Sequence, residues 1–266
     1  MGMWDTYQSR SDAHGNTKRE ASLIREVRFI NSKLPDSLSY QTVNIFPQEY
    51  GYNIESDESI EHKIVQNVAI INSDNMNEKT IISMPSEDIV LGSLVVWMDN
   101  YWLVTERDAN TTVYTKAKLI QCNHLLKWIT DEDEIIEQWC IFEDGTKCLT
   151  GHLEDKDFFT TRGDARSALQ IAENKHTIKF DRTYRFLIDD ADSPHKLSYQ
   201  LTKPLKGTLT YGGKGTFSFT LQEVQSTDND NHELGIADYY LHFPKTNSTD
   251  DDIDEPPVAT GKKVWL

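Results

Sequence analysis

The run Leu94-Val-Val-Trp-Met98, followed by Tyr101-Trp-Leu-Val-Thr-Glu-Arg-Asp108 and then Lys116-Ala-Lys-Leu-Ile-Gln-Cys-Asn-His-Leu-Leu-Lys-Trp128, decides the fold class. Runs of β-branched and aromatic residues separated by short polar breaks read as antiparallel strands. The first two runs meet across Asp99-Asn100, a two-residue connection of the hairpin kind. Because Gly is absent from its second position, the turn type stays open. The block predicts a β-meander, and no residue pattern within it suggests a catalytic centre.

Upstream, Thr17-Lys-Arg-Glu20 has the form of a capping box, in which hydroxyl and carboxylate satisfy reciprocal backbone donors at a helix start. Leu23, Ile24, Val27, Ile30 and Leu34 then recur at spacings of three and four until Pro35. This predicts one amphipathic helix of about four turns, with Arg19, Arg25 and Arg28 on or near its polar side. Residues 1–15 carry Trp4 and Tyr7 in a polar setting and read as an arm whose aromatics pack on something else. Between the helix and the meander, Gln41–Phe46, Lys63–Ile71 and Lys79–Met84 read as short strands, and Ile135–Phe142 follows the meander. Strands at this spacing without intervening helices argue for a small antiparallel barrel and against a parallel α/β sheet.

Beyond Gly151 the charge and glycine content rise, and a second set of candidate strands runs to Phe243. Tyr211-Gly-Gly-Lys-Gly215 separates two of them as a hairpin loop. Their number over about ninety residues fits an immunoglobulin-like sandwich without the Cys-Trp-Cys core of antibody domains. The expected organisation is mainly β: arm and helix over 1–36, barrel over 37–155, sandwich over 156–245, and an acidic linker and tail over 246–266. The tail holds four Asp and one Glu between 250 and 255, then ends in Val-Trp265-Leu266. An apolar tip on an acidic tether suits docking on a neighbouring subunit and equally suits a loose terminus.

The chain has 266 residues and a formal net charge of −16. Such a balance repels nucleic acid on average and argues against tight non-specific DNA binding. No run has the length and apolarity of a membrane-spanning helix, and Asp5, Arg10 and Asp12 interrupt any signal-peptide core, so a cytoplasmic site of synthesis is expected. Cys122, Cys140 and Cys148 leave one cysteine unpaired under any disulfide scheme, and free thiols are expected. The eight histidines match no recognised ligand spacing, so no metal or other cofactor is predicted. Cys122 and His124 lie two apart on a predicted strand, a nucleophile-like pair or simply a buried thiol beside a half-exposed imidazole. Asp228, Asp230, His232 and Glu233 lack the central Gly and terminal Glu of a calcium loop and read as a solvated hairpin loop. Gly212-Gly-Lys-Gly215 lacks the spacing of a nucleotide-binding loop. Six Trp and eleven Tyr exceed what two modest β cores need, which points to a carbohydrate-stacking face or a protein interface. Carboxylate pairs such as Asp189-Asp190 leave a wall hydrolase as a weaker alternative.

Taken as an ordered set, these motifs resemble the neck proteins of tailed phages infecting Gram-positive bacteria, called head-closure or head-tail connector proteins. The resemblance is carried by Tyr101-Trp-Leu-Val-Thr-Glu106, Val113-Tyr-Thr-Lys-Ala117 and Cys122–Trp128. Further matches are Trp4-Asp-Thr-Tyr-Gln-Ser-Arg10, Gly15–Ala21, Arg185–Asp190, Tyr199–Thr202 and Leu234-Gly-Ile-Ala-Asp-Tyr-Tyr240. It covers about residues 3 to 243. It implies a non-enzymatic virion protein, a ring of six- or twelve-fold order at the head-tail junction, with the portal or its adaptor above and a tail-completion or tail-tube protein below. Genome DNA would pass through the ring without specific binding, and no membrane is involved. The interface residues expected on this basis and from the sequence are Trp4, Tyr7, Arg10, Arg19, Arg25, Arg28, Trp265 and Leu266. A carbohydrate-binding tail or adhesin module is the alternative.

Overall fold

A computed structural model of the chain describes residues 17–108, 113–144, 166–188 and 196–244, together with positions 2, 4 and 15. Tyr7, Arg10, Cys148, the acidic tail, Trp265 and Leu266 lie outside the described residues. Helix α1 (Lys18–Lys33) leads into β1 (Tyr40–Phe46), a short helix α2 (Asp57–Glu61), β2 (Ile64–Asn72), β3 (Glu78–Ser83), β4 (Leu94–Trp97), β5 (Asn100–Asp108) and β6 (Lys116–Gln121). These six strands form a closed antiparallel barrel in the order β1-β2-β3-β6-β5-β4, with β1 pairing both β2 and β4. Alternate residues fill its interior, among them Val43, Ile81, Val95, Trp102, Val104 and Leu119. The mainly β class, the N-terminal helix and the small barrel read from the sequence are therefore all present.

The strands after Cys122 go elsewhere. β7 (His124–Ile129) and β8 (Ile135–Asp144), read from sequence as part of the barrel unit, instead begin a second sheet with β9 (Arg166–Ala172), β10 (Arg185–Ile188), β11 (Leu197–Thr210) and β12 (Gly215–Val224). Its order is β10-β11-β12-β9-β8-β7. Where the sequence suggested an immunoglobulin-like sandwich, the strands form one continuous antiparallel sheet that curls until β10 lies against β7. The curl wraps an aromatic core in which Phe180 meets Trp128 edge-on at 5.0 Å and Phe186 at 5.2 Å. A small third helix, α3 (Tyr239–His242), follows the sheet.

The continuous apolar character of Leu94–Trp97 and Trp102–Thr105 has a physical cause. One face of β4 and β5 fills the barrel, while Leu94 and Leu103 on the other face join Phe46, Ile141 and Ala172 in a core shared with the second sheet. Strands covered on both faces cannot alternate with polar residues. The turn between them is shifted by one residue from the sequence reading. Trp97 pairs with Asn100, and the two loop residues, Met98 and Asp99, both have positive φ, 49° and 58°. This is a type I′ turn, with the Asn100 amide donating to the Met98 carbonyl at 2.7 Å.

The Gly-rich hairpin locks the two units together. Gly212 and Gly213 occupy a second turn with positive φ at both positions. The Gln48 side chain, on the barrel side, donates to the Gly213 carbonyl at 3.3 Å and accepts from the Gly215 N–H at 2.9 Å. Gly92 stands directly opposite, where a Cβ would lie 2.3 Å from the Gly215 carbonyl oxygen.

The Leu234–Tyr240 motif closes the second sheet through a buried ion cluster. The Asp230 carboxylate, fully buried, accepts from the N–H groups of Thr227 and Asp238 and from both ends of the Arg185 guanidinium. Arg185 also pairs with Asp238 at 2.7 Å. The segment read as a solvated loop is thus anchored inside, with a guanidinium where a cation-binding loop would place its ion. Burial pushes the Asp230 carboxyl up, but the Asp238 and Thr227 N–H groups and Arg185 together hold it below the usual range.

Three outcomes follow. Met98→Asn with Asp99→Gly relieves two left-handed L residues and raises stability in urea unfolding by about 1 kcal/mol. Gly92→Ala, strained in φ and in collision with Gly215, lowers the thermal midpoint. Asp230→Asn leaves Arg185 with only the part-exposed Asp238 as counter-charge and costs about 3 kcal/mol near neutral pH. Because the native carboxyl is depressed, its contribution is present above the unfolded value near 3.8 and lost as pH falls through the folded one. The gap between wild type and variant therefore narrows in acid.

Candidate interaction surfaces

Helix α1 starts as its sequence dictates. The Thr17 hydroxyl accepts from the Glu20 N–H, and Glu20 accepts from the Thr17 N–H, both at 3.2 Å. At about 1.5 Å per residue its 16 residues extend roughly 24 Å. None of them is buried, and none enters a hydrophobic core of the molecule. The stripe Leu23, Ile24, Val27, Ile30 and Leu34 is only partly covered, and Phe29 is 63% exposed. Helical periodicity puts Arg19 and Arg28 at the two borders of this stripe, with Arg25 and Phe29 on the opposite side. Arg19, Arg25 and Arg28 are all exposed, as is Trp4 of the arm. The structure thus brings the three arginines onto one exposed helix, separate from the barrel. An isolated helix of this length is marginal in water, so burial of the stripe would favour its order.

A second feature, composed of residues distant in sequence, escaped the sequence reading. A cleft of ≈ 330 Å³ opens where the barrel meets β7 and β8, lined by Ile54, Tyr101, Leu125, Ile135 and Trp139 among others. Tyr101 and Trp139 stack at 4.1 Å, giving it an aromatic wall. Asn53 holds its other side in place. The backbone N–H of Asn53 donates to the Glu137 carbonyl at 2.8 Å, and its side chain accepts from the Glu137 N–H at 2.7 Å. Two carboxylates, Glu55 and Glu137, are part of its lining. Residues 55–61 hold four acidic and no basic side chains, and residues 131–137 hold five and none. Within them Glu137 pairs with Lys127 at 2.6 Å and Asp133 with His242 at 2.7 Å.

The other sequence candidates fall into structural roles. Cys122 and Cys140 are buried free thiols, and the Cys140 thiol donates to the His124 carbonyl at 3.4 Å. Desolvation pushes both thiols up, which keeps them protonated and weakly nucleophilic. Among the described residues no group of three or more His, Cys, Asp or Glu side chains is placed to hold a metal ion. Trp102 and Trp128 are buried in cores, and Trp139 is half-buried against Tyr101. Among the described residues, no helix is long and apolar enough to cross a membrane.

Residues 28–121 match the model of the YomX N-terminal domain, a phage-associated family. The match begins in the last turns of α1 and ends with the last residue of β6, so it spans the barrel and stops where the second sheet begins. Over that span, about a third of its length, the chain is similar to this domain. No curated protein and no solved structure matches the chain.

The helix geometry yields a direct expectation. Val27→Asp, at the centre of a stripe that joins no core among the described residues, changes the unfolding free energy of the dilute protein by no more than about 0.5 kcal/mol. A loss of several times that in a urea titration would mean that the stripe packs on the barrel.

Proposed function

We propose that this chain is a structural protein of a phage particle that assembles as a ring at the head-tail junction, joining the portal or adaptor to the tail around the DNA channel. The observation that carries this reading is the joint one of a barrel similar to a phage-associated domain and an amphipathic helix whose apolar stripe is only partly covered and joins no core among the described residues. A protein whose exposed elements are built for contact, with Cys122, Cys140 and the Asp230–Asp238 carboxylates used in internal packing, works by presenting surfaces. The acidic balance fits a passage that lets DNA slide without adhering. The helix and arm would bind the layer above, the barrel would form the ring, and the second sheet would face outward or hold the next tier.

The competing adhesin reading draws on the aromatic surplus. Burial of Trp102 and Trp128 and the mutual stacking of Tyr101 and Trp139 place these four aromatics in contacts within the molecule, which favours the structural role. Electron microscopy of particles labelled with an antibody to this chain is expected to mark the neck, with six or twelve copies per particle by quantitative mass spectrometry. Label at the tail tip together with glycan binding would favour the adhesin instead, and absence of the chain from particles would overturn both.

A further inference from the structure

The chain leaves its last described element beside the cleft at the barrel junction. Helix α3 ends at His242, whose ring hydrogen-bonds the Asp133 carboxylate of the β7-β8 turn at 2.7 Å. Ile135, two residues farther on, is the first of three β8 residues in the cleft lining, before Glu137 and Trp139. The lining therefore begins within about 7 Å of chain from that anchor. Its wall is Tyr101 stacked on Trp139, and Ile135 remains 39% exposed. Two of the nine lining residues are carboxylates and none is basic. Glu137 already pairs with Lys127 at 2.6 Å, so exposed Glu55 is the lining carboxylate that an incoming cation would meet. At ≈ 330 Å³ the cleft stands at the lower end of the range for ligand pockets, roughly 300–1,000 Å³. That space suits one flat aromatic side chain and a neighbour.

We infer that the Lys262–Leu266 segment of the same chain docks in this cleft, with the Trp265 ring against the Tyr101–Trp139 wall and the Lys262-Lys263 pair toward Glu55. The sequence after Pro244 supplies what the cleft asks for. Lys262-Lys-Val-Trp-Leu266 holds two cations and three apolar side chains in five residues, and Trp brings a large flat apolar face with a polar N–H at its edge. Seventeen residues, 245–261, separate it from Pro244. As a flexible tether they span roughly 21–25 Å, starting from an exit that His242 ties to the hairpin of the cleft itself. Such a tether raises the local concentration of the segment to the millimolar range, so in dilute solution the cleft's own chain outcompetes a second copy. The five carboxylates between 250 and 255 carry the same sign as Glu55 and Glu137, so the lining attracts the basic, apolar segment and repels the tether. The contact is a property of one copy and does not depend on where in a particle the chain sits. Docked in this way, the segment shields the aromatic wall of the free chain.

The test uses the full chain with the photoreactive analogue p-benzoylphenylalanine in place of Trp265. On irradiation of the dilute protein, cross-links are expected in the monomer band of a denaturing gel, and mass spectrometry is expected to map them to residues 53–56, Tyr101 and residues 135–139. Ile135→Asp puts a carboxylate on the apolar side of the cleft at a part-exposed position and lowers their yield at least about tenfold. Unchanged circular dichroism and thermal midpoint show that this variant remains folded. A second measurement leaves the cleft untouched: Trp265→Ala, in the otherwise unaltered chain, speeds amide hydrogen exchange over residues 53–57 at least about threefold. Cross-links confined to a dimer band would give the cleft to the tail of a second copy, and cross-links mapping elsewhere would give the segment another seat. Either result overturns the inference. So does a yield that folded Ile135→Asp does not lower, or an exchange rate that Trp265→Ala does not change.

Discussion

Closure of the barrel is the constraint on which the rest of the molecule depends. Because β1 pairs with β2 on one side and β4 on the other, six strands satisfy their backbone groups among themselves and leave no open edge. The interior is filled by its own strands and by Ile89 and Leu91 of the β3–β4 connection. Helix α1, with a regular apolar stripe and a complete capping box, enters none of the hydrophobic cores among the described residues.

The barrel also uses its outer face. Leu94, Leu103 and Phe46 meet Ile141 and Ala172 of the second sheet, and Gln48 stitches the Gly212–Gly213 turn to the barrel at the far side of that contact. The two units therefore share a core and a hydrogen-bonded seam, and the cleft is a product of that seam. Its aromatic wall combines Tyr101 from β5 with Trp139 from β8, and Glu55 and Glu137 complete its lining. A site of this kind needs both units in fixed relation, which the glycine contact between Gly92 and Gly215 secures.

What the sequence revealed, and what it hid, divides along the range of the interactions involved. The capping box of Thr17 and Glu20, the stripe from Leu23 to Leu34 and the alternation of the barrel strands are local patterns, and each appears in the structure where the spacing puts it. The hairpin before Asn100 was visible, but its turn lies one residue earlier, because Met98 and Asp99 adopt positive φ without the glycine that would have marked them. The fate of β7 and β8 was hidden because a strand's pattern does not say which sheet it will join. Asp230 looked solvated because its partner, Arg185, is 45 residues away and because an acidic, polar segment resembles a surface loop. The cleft could not be read at all, since Ile54, Tyr101 and Trp139 are neighbours only after folding.

The central claim is that helix α1 is completed by a partner and not by its own barrel. Hydrogen–deuterium exchange reports this residue by residue, because protection follows local burial and cooperative stability. In the dilute, dissociated chain the amides of residues 18–33 are predicted to exchange rapidly while those of β1 to β6 stay protected, and on assembly the helix amides slow by at least about tenfold. Helix amides as protected as the barrel strands in the isolated chain, or unchanged when the chain assembles, would contradict the account.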